Sequence, residues 1–241
     1  MVAIAKNPTG RDFAVGDIHG SFDALDLALA QIGFDRRIDR LFSVGDLVNR
    51  GTQSRDVTAW LDYPWFYAIC GNHELMTIRR AHGVATIAHG MSDYPQPWFD
   101  SLQPSEQTNI AKLFTALPLV LEIATAGGPV GLIHADCPCD DWADIRFANM
   151  GNRNDCDVMV DTCLWSIERY KRRYAGVVRN IRAVVHGHMT IATAQRLGNV
   201  YYIDTGGWQS GSGRFSFLNL DTLEIVVGLG SPMVKVPGRY R

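Results

Sequence analysis

The spacing of apolar positions changes along the chain, and each change marks an element. Asp12 to Val15 is an apolar run of strand length. From Phe22 to Ile32 apolar residues recur at helical spacing, and Gly33 can end that helix. Leu41 to Val44 predicts a second strand, Ser54 to Leu61 a helix, and Trp65 to Ile69, behind Pro64, a third strand. The order is βαβαβ.

Beyond this unit the pattern is looser. Gly83 to Asp100 mixes Gly90, Pro95 and Pro97 with apolar residues, so an irregular surface segment, a candidate lid, is expected. Ser105 to Leu117 predicts a helix with Ser105 as N-cap. Leu119 to Ala124 and Val130 to His134 predict a hairpin through Gly127-Gly128. Cys163 to Ala175 has helical character, and strands recur at Ala183 to Val185, Val200 to Ile203, Phe215 to Leu220 and Glu224 to Val227. There is no internal repeat and no linker-like stretch. The expected arrangement is an α/β domain spanning residues 1–241, with two packed sheets and helices on their outer faces.

Composition narrows the function classes. The 241 residues are 46% hydrophobic and 20% charged, as in ordinary soluble domains, and the formal net charge is −2. A nucleic-acid binder usually carries a basic excess, so no nucleic-acid partner is expected. The small basic clusters, Arg36-Arg37, Lys171-Arg172-Arg173 and the tail from Arg239 to Arg241, read as solvated charge. No leader-like or membrane-spanning stretch is expected. Five cysteines, Cys70, Cys137, Cys139, Cys156 and Cys163, without regular spacing point to reduced thiols and a cytoplasmic setting.

The chemistry is concentrated where the early strands end. Each runs into a polar turn containing glycine: GDIHG at 16–20, GDLVNRG at 45–51 and GNHE at 71–74. In open α/β sheets ligands sit off the carboxyl ends of the strands, so these turns are expected to converge. They supply Asp17, His19, Asp46, Asn72 and His73; His134 follows in IHAD and His188 in HGHMT. Oxygen and imidazole donors in this mixture suit Mn, Fe, Zn or Mg. Asp17-x-His19 can bring two side chains to one ion, and Asp46 is the candidate to bridge two ions about 3.5–4 Å apart. His73 is placed to protonate a leaving oxygen. Arg50 can grip phosphoryl oxygens with its planar fork. Any one aspartate or asparagine at a strand end is more often a turn residue. Yet five of the seven histidines fall in these few motifs, which turns the balance; His82 and His89 lie outside them.

Together GDIHG, GDLVNRG, GNHE, IHAD and the late Gly-His resemble the metallophosphoesterase superfamily. More narrowly they resemble phosphoprotein phosphatases of the bacterial and bacteriophage-lambda type. The likeness runs over nearly the whole chain, including Leu-Pro-Leu around Pro118, Trp165 and Tyr-Ile-Asp-Thr-Gly at 202–206. It implies a sandwich of two mixed β-sheets flanked by helices. It also implies two divalent ions, manganese foremost. Asp17, His19 and bridging Asp46 would take the first ion, with Asn72, His134 and His188 on the second. His73 would be the acid and Arg50 the phosphate clamp. The implied activity is hydrolysis of a phosphoprotein of Ser/Thr type, or of a small phosphomonoester, by a hydroxide shared between the metals. His186 matches no ligand position of the family and reads as structural.

Three departures bear on substrate. Asn49 stands where these phosphatases carry an aspartate that orients the catalytic histidine. An amide oxygen could still accept from the imidazole, but without the charge the pKa of His73 should be lower. Cys70 and Ile167 replace two further arginines, and Arg169, two residues on, would point to another face of its helix. Dinucleoside polyphosphate hydrolases also depart from aspartate at the Asn49 position, which makes such a substrate the alternative. A catalytically dead scaffold is the reading from another class. Cys137 and Cys139 follow His134 closely and read as inert thiols near the site.

Overall fold

The structure, a computed structural model, describes residues 1–84, 94–147 and 153–230. In chain order the strands are β1 (Val2–Ile4), β2 (Asp12–Val15), β3 (Arg40–Ser43), β4 (Phe66–Ala68), β5 (Val120–Ile123) and β6 (Val130–Ile133). They continue with β7 (Ala183–His186), β8 (Gln195–Leu197), β9 (Val200–Tyr202), β10 (Ser216–Asn219) and β11 (Ile225–Val227). The helices are α1 (Phe22–Gln31), α2 (Val57–Leu61), α3 (Asn72–Ala81), α4 (Pro97–Asp100), α5 (Pro104–Ala116), α6 (Trp142–Phe147), α7 (Arg153–Trp165) and α8 (Glu168–Lys171).

The strands form two mixed sheets, one ordered β1-β5-β6-β7-β9-β8 and the other β11-β10-β2-β3-β4. Within the second, β2, β3 and β4 are parallel neighbours, so their carboxyl ends share one edge. In the first, β6 and β7 are parallel and end in the same manner. The sheets pack through Ala14, Phe42, Val44 and Ile69 on one side and Leu121, Leu132, Val185 and Ile203 on the other. Phe13, Val15, Leu41 and Phe217 point the opposite way, into a layer with Leu25 and Leu29 of α1 and Phe114 of α5. Val120, Ile133 and Val184 pack outward against Trp142, Ile145 and Cys163. Both faces of the central strands are therefore covered, which is why β2 after Asp12 reads as the consecutive apolar residues Phe13, Ala14 and Val15 rather than an alternating pattern.

Several expectations shift in detail. β1 and β8, three residues each, were not anticipated, because strands so short leave little periodic signal. The Ser54–Leu61 segment opens as a 3₁₀ turn over Ser54–Asp56 before α2. GNHE is the first turn of α3 rather than a loop. The cap of α5 is Gln103, not Ser105: Pro104 takes the first helical position, and Glu106 Oε2 accepts the Gln103 N–H at 2.8 Å. Cys163 to Ala175 is not one helix. Asp136 Oδ2 accepts both Ser166 Oγ and the Arg169 N–H at 3.0 Å, and α7 stops at Trp165 before α8 begins. In the expected irregular stretch Pro97–Asp100 is helical, while 85–93, half of the candidate lid with His89, lies outside the described residues.

Candidate metal centre and catalytic groups

The turns that follow β2, β3 and β4 are tied together by their backbones. His19 N–H donates to Asp46 O at 2.8 Å, Gly20 N–H to Leu47 O at 2.8 Å, and Gly51 N–H to His19 O at 2.9 Å. His73 N–H, at the start of α3, donates to Asp46 Oδ1 at 3.0 Å. From the other sheet, the His188 N–H reaches Asp17 Oδ1 at 3.0 Å. Such close joining bends the chain hard. His19, Asp46, Asn49, Arg50 and His188 have positive φ, five of the eight such non-glycine residues among those described. Strain of this kind concentrates at functional sites. Gly71 lies so near Asp46 that a Cβ would come within 2.3 Å of Asp46 Oδ1.

The side chains anticipated from the sequence meet in one buried cluster. His19 Nδ1 donates to Val48 O at 2.9 Å, which leaves Nε2 as a lone pair. That nitrogen is 3.7 Å from Asp17 Oδ2 and 3.6 Å from Asp46 Oδ2. His134 Nδ1 likewise donates to Val44 O at 2.8 Å, so its Nε2 also faces the cluster unprotonated. Asn72 Oδ1 lies 2.8 Å from His134 Nε2 and 3.2 Å from His188 Nδ1, and the same position is 3.1 Å from each Asp46 carboxylate oxygen. Electron-rich atoms converging with no proton between them form an arrangement that a cation satisfies. Without one, the Asn72 amide would satisfy it by turning its NH₂ inward.

Asp46 belongs to two ligand-sized groups, one with His19 and His73, the other with His134 and His188. Asp17 Oδ2 and His19 Nε2 are buried without a hydrogen-bond partner. Burial, then the nearby Asp204 and Asp46 charges, pushes Asp17 well above the usual carboxylate range. Burial also lifts Asp46 to about 7, and it holds His134 and His188 down to about 3. The imidazoles are thus present as neutral donors, the form that metals require.

His73 Nε2 points into the same space, 3.9 Å from Asp46 Oδ2 and without a partner. Burial above all, with His19 and Arg50 near, keeps this imidazole well below its ordinary pKa. The expected contact from Asn49 is present but reversed. Its amide nitrogen, not its oxygen, faces His73 Nδ1 at 2.9 Å, because Trp98 Nε1–H takes Asn49 Oδ1 at 2.6 Å. Arg50 is exposed at the rim, its guanidinium 4.5 Å from the centroid of the Trp208 ring.

Four contributors were not anticipated: Glu74, Trp98, Asp204 and Trp208. Glu74 and Asp204 lie inside GNHE and YIDTG, so their motifs were visible though their roles were not. Asp204 accepts Thr190 Oγ1 at 2.7 Å and Gly206 N–H at 2.9 Å. No local pattern singles out either tryptophan. Arg169 does not join the cluster: it donates to Gly176 O at 2.7 Å and Asp140 Oδ1 at 2.8 Å. His186 donates through Nδ1 to Ile133 O at 2.7 Å, beneath the cluster. His82 caps Ile78 O at the surface. Cys137 and Cys139 are directed to backbone carbonyls of Cys139 and Asp141 and pack with the outer layer around Trp142.

A two-sheet sandwich with a buried oxygen and imidazole cluster at its strand ends defines a metal-dependent hydrolase class. Residues 13–192 match the calcineurin-like phosphoesterase family, and the chain belongs to that family. It is 33% identical to Serine/threonine-protein phosphatase 2 of Escherichia coli (strain K12), over 86% of this chain and 92% of that protein. It is 31% identical to a symmetrical bis(5'-nucleosyl)-tetraphosphatase of Methylococcus capsulatus, over 58% of this chain and 48% of that one. Among solved structures, a putative diadenosine tetraphosphatase superposes with a TM-score of 0.62 at 21% identity, covering 95% of this chain and 98% of its own. The protein is a phosphatase of a family that depends on two metals. No helix among the described residues is long and apolar enough to cross a membrane.

Proposed function

We propose that this chain is a cytoplasmic phosphatase acting on Ser/Thr-type phosphoproteins or small phosphomonoesters. The observation that carries the reading is the meeting of Asp17, His19, Asp46, Asn72, His134 and His188 around unshared lone pairs. Asp17, His19 and Asp46 would hold one divalent ion; Asp46, Asn72, His134 and His188 would hold the other. Manganese is the foremost candidate for a set of this kind. When bound, such ions supply Lewis acidity and an activated water for attack at phosphorus. Arg50, at the rim, grips the phosphoryl oxygens in a bidentate manner. His73, its Nε2 open to the cleft, offers a proton to the leaving oxygen.

A second reading is hydrolysis of dinucleoside polyphosphates. Asn49, where the phosphoprotein phosphatases have aspartate, favours it, as does similarity to proteins named for that activity. A metal-supplemented panel of a phosphopeptide, p-nitrophenyl phosphate and diadenosine tetraphosphate, with His73→Asn as control, tests both. Turnover lost in the control supports the enzyme. No turnover of any substrate, with no cations bound, would instead favour a dead scaffold.

A further inference from the structure

Trp98 is far from Asn49 in sequence, yet it decides how Asn49 meets the catalytic histidine. An indole N–H can only donate. At 2.6 Å from Trp98 Nε1, the Asn49 atom must therefore be the oxygen; a turned amide would set donor against donor. The NH₂ is left to face His73 Nδ1 at 2.9 Å, so that nitrogen must be the acceptor. The ring proton then resides on Nε2, which is buried, unpartnered and directed to the cluster around Asp46.

Both ends of this chain of contacts are fixed. Asn49 is buried with its N–H on Ser54 Oγ at 2.9 Å. The short helix α4 carrying Trp98 is fastened to α3, which carries His73. Arg80 pairs with Asp100 at 2.7 Å, and the Thr77 hydroxyl lies 2.6 Å from Gln96 Oε1. Trp98 itself packs against the core layer beneath.

We propose that Trp98 is a positioning residue that, through Asn49, keeps His73 as the Nε2–H tautomer and so selects substrates whose leaving groups need little protonation. This rests on the hydrolase reading above and, between its substrate classes, favours phosphoanhydrides and aryl phosphates over phosphoserine. In the reaction, a water oxygen bonds to phosphorus and loses its proton to solvent. The P–O bond to the leaving group breaks, and its electron pair stays on the leaving oxygen. A neutral Nε2–H can hydrogen-bond that oxygen but releases its proton reluctantly. A phosphate or an aryl oxide departs as the anion and takes a proton from water afterwards, whereas a seryl alkoxide is far more basic and needs the proton during departure. Phosphoanhydrides and aryl phosphates should therefore be turned over ahead of alkyl phosphates. An aspartate at position 49 would accept from both Trp98 and an Nδ1–H, and its charge would favour the imidazolium, with N–H on both nitrogens. That form gives its Nε2 proton to an alkoxide readily, and this bias would disappear.

The test compares the parent with Asn49→Asp and Trp98→Phe, the second removing the N–H while keeping an aromatic ring. NMR of labelled histidine in the Mg-loaded protein, with His73 assigned through His73→Asn, should show the proton on Nε2 in the parent. In Asn49→Asp Nδ1 should also be protonated, the ring carrying N–H on both nitrogens, and in Trp98→Phe the two neutral tautomers should be mixed. The ratio of kcat/KM for p-nitrophenyl phosphate over a phosphoserine peptide should fall by about tenfold or more in Asn49→Asp, and part-way in Trp98→Phe. A purely structural Trp98 would lower both rates equally and leave the tautomer alone. An Nδ1-bound proton in the parent, or an unchanged ratio in both variants, overturns the proposal. Absence of all turnover would sink the hydrolase reading, while the NMR result still decides the tautomer.

Discussion

Glu74 and Asp46 are joined through the backbone: the Glu74 carboxylate accepts the Asp46 N–H at 2.8 Å, and with it the N–H groups of Leu47 at 2.8 Å and Gly71 at 2.9 Å. One buried side chain thereby fixes the turn bearing Asp46 against the start of the helix bearing Asn72 and His73. Burial, then the Asp46 charge, lifts Glu74 to about 8, while the three N–H donors pull the other way.

Replacing this acceptor tests the arrangement. Glu74→Gln keeps the shape but turns one acceptor into a donor against a backbone N–H. We expect a loss of about 1–3 kcal/mol in denaturant unfolding, with weaker cation binding. Unfolding at the parent's midpoint would show that the carboxylate is not needed.

Cation loading should be coupled to protons. Asp46 is raised to about 7 by burial, so below that pH an incoming ion must displace a proton. The histidines contribute little, since His134 and His188 stay neutral down to about 3. Asp17, also pushed well above the usual carboxylate range, adds to the Asp46 effect. Apparent affinity should therefore fall as pH is lowered from 8 to 6, approaching about tenfold per unit for each linked proton. Calorimetry in buffers of different ionisation enthalpy measures the release. Equal affinity at both pH values would refute it.

Asp46 reaches both ligand-sized groups, whereas Asn72 adjoins the one with His134 and His188. Asp46→Asn should therefore lose both ions, and Asn72→Ala chiefly one, with the fold retained by circular dichroism. Elemental analysis after gel filtration gives the counts. Two ions retained in Asp46→Asn would remove it from the bridging position.

The Arg50 guanidinium rests on the Trp208 ring. Trp208→Leu should cost about 0.5–1 kcal/mol of substrate affinity, a two- to fivefold rise in KM. Arg50→Lys keeps the charge but loses the fork, and should lower kcat/KM by roughly tenfold or more, as expected for charged hydrogen bonds of about 1.5–3 kcal/mol. Steady-state kinetics with p-nitrophenyl phosphate distinguishes these; no change in Arg50→Lys would mean that only its charge matters.

The sequence by itself determined the candidate ligand turns and the class of chemistry, for a physical reason. Asp17 and His19, or Asn72 and His73, are close neighbours on one strand-end turn or helix start, so contiguous motifs carry their geometry. The buried strands were equally legible, because runs covered on both faces are apolar where they are covered, as Phe13, Ala14 and Val15 are. Caps and short edge strands were not, since Gln103 in place of Ser105, or the break after Trp165, depends on which distant groups are in reach. Only the tertiary structure decided the direction of the Asn49 contact. The residue that sets it, Trp98, lies 49 positions away and acts through one indole N–H that no spacing rule connects to GDLVNRG. Local covalent neighbourhood specifies which donors exist; packing between elements specifies which way each one points.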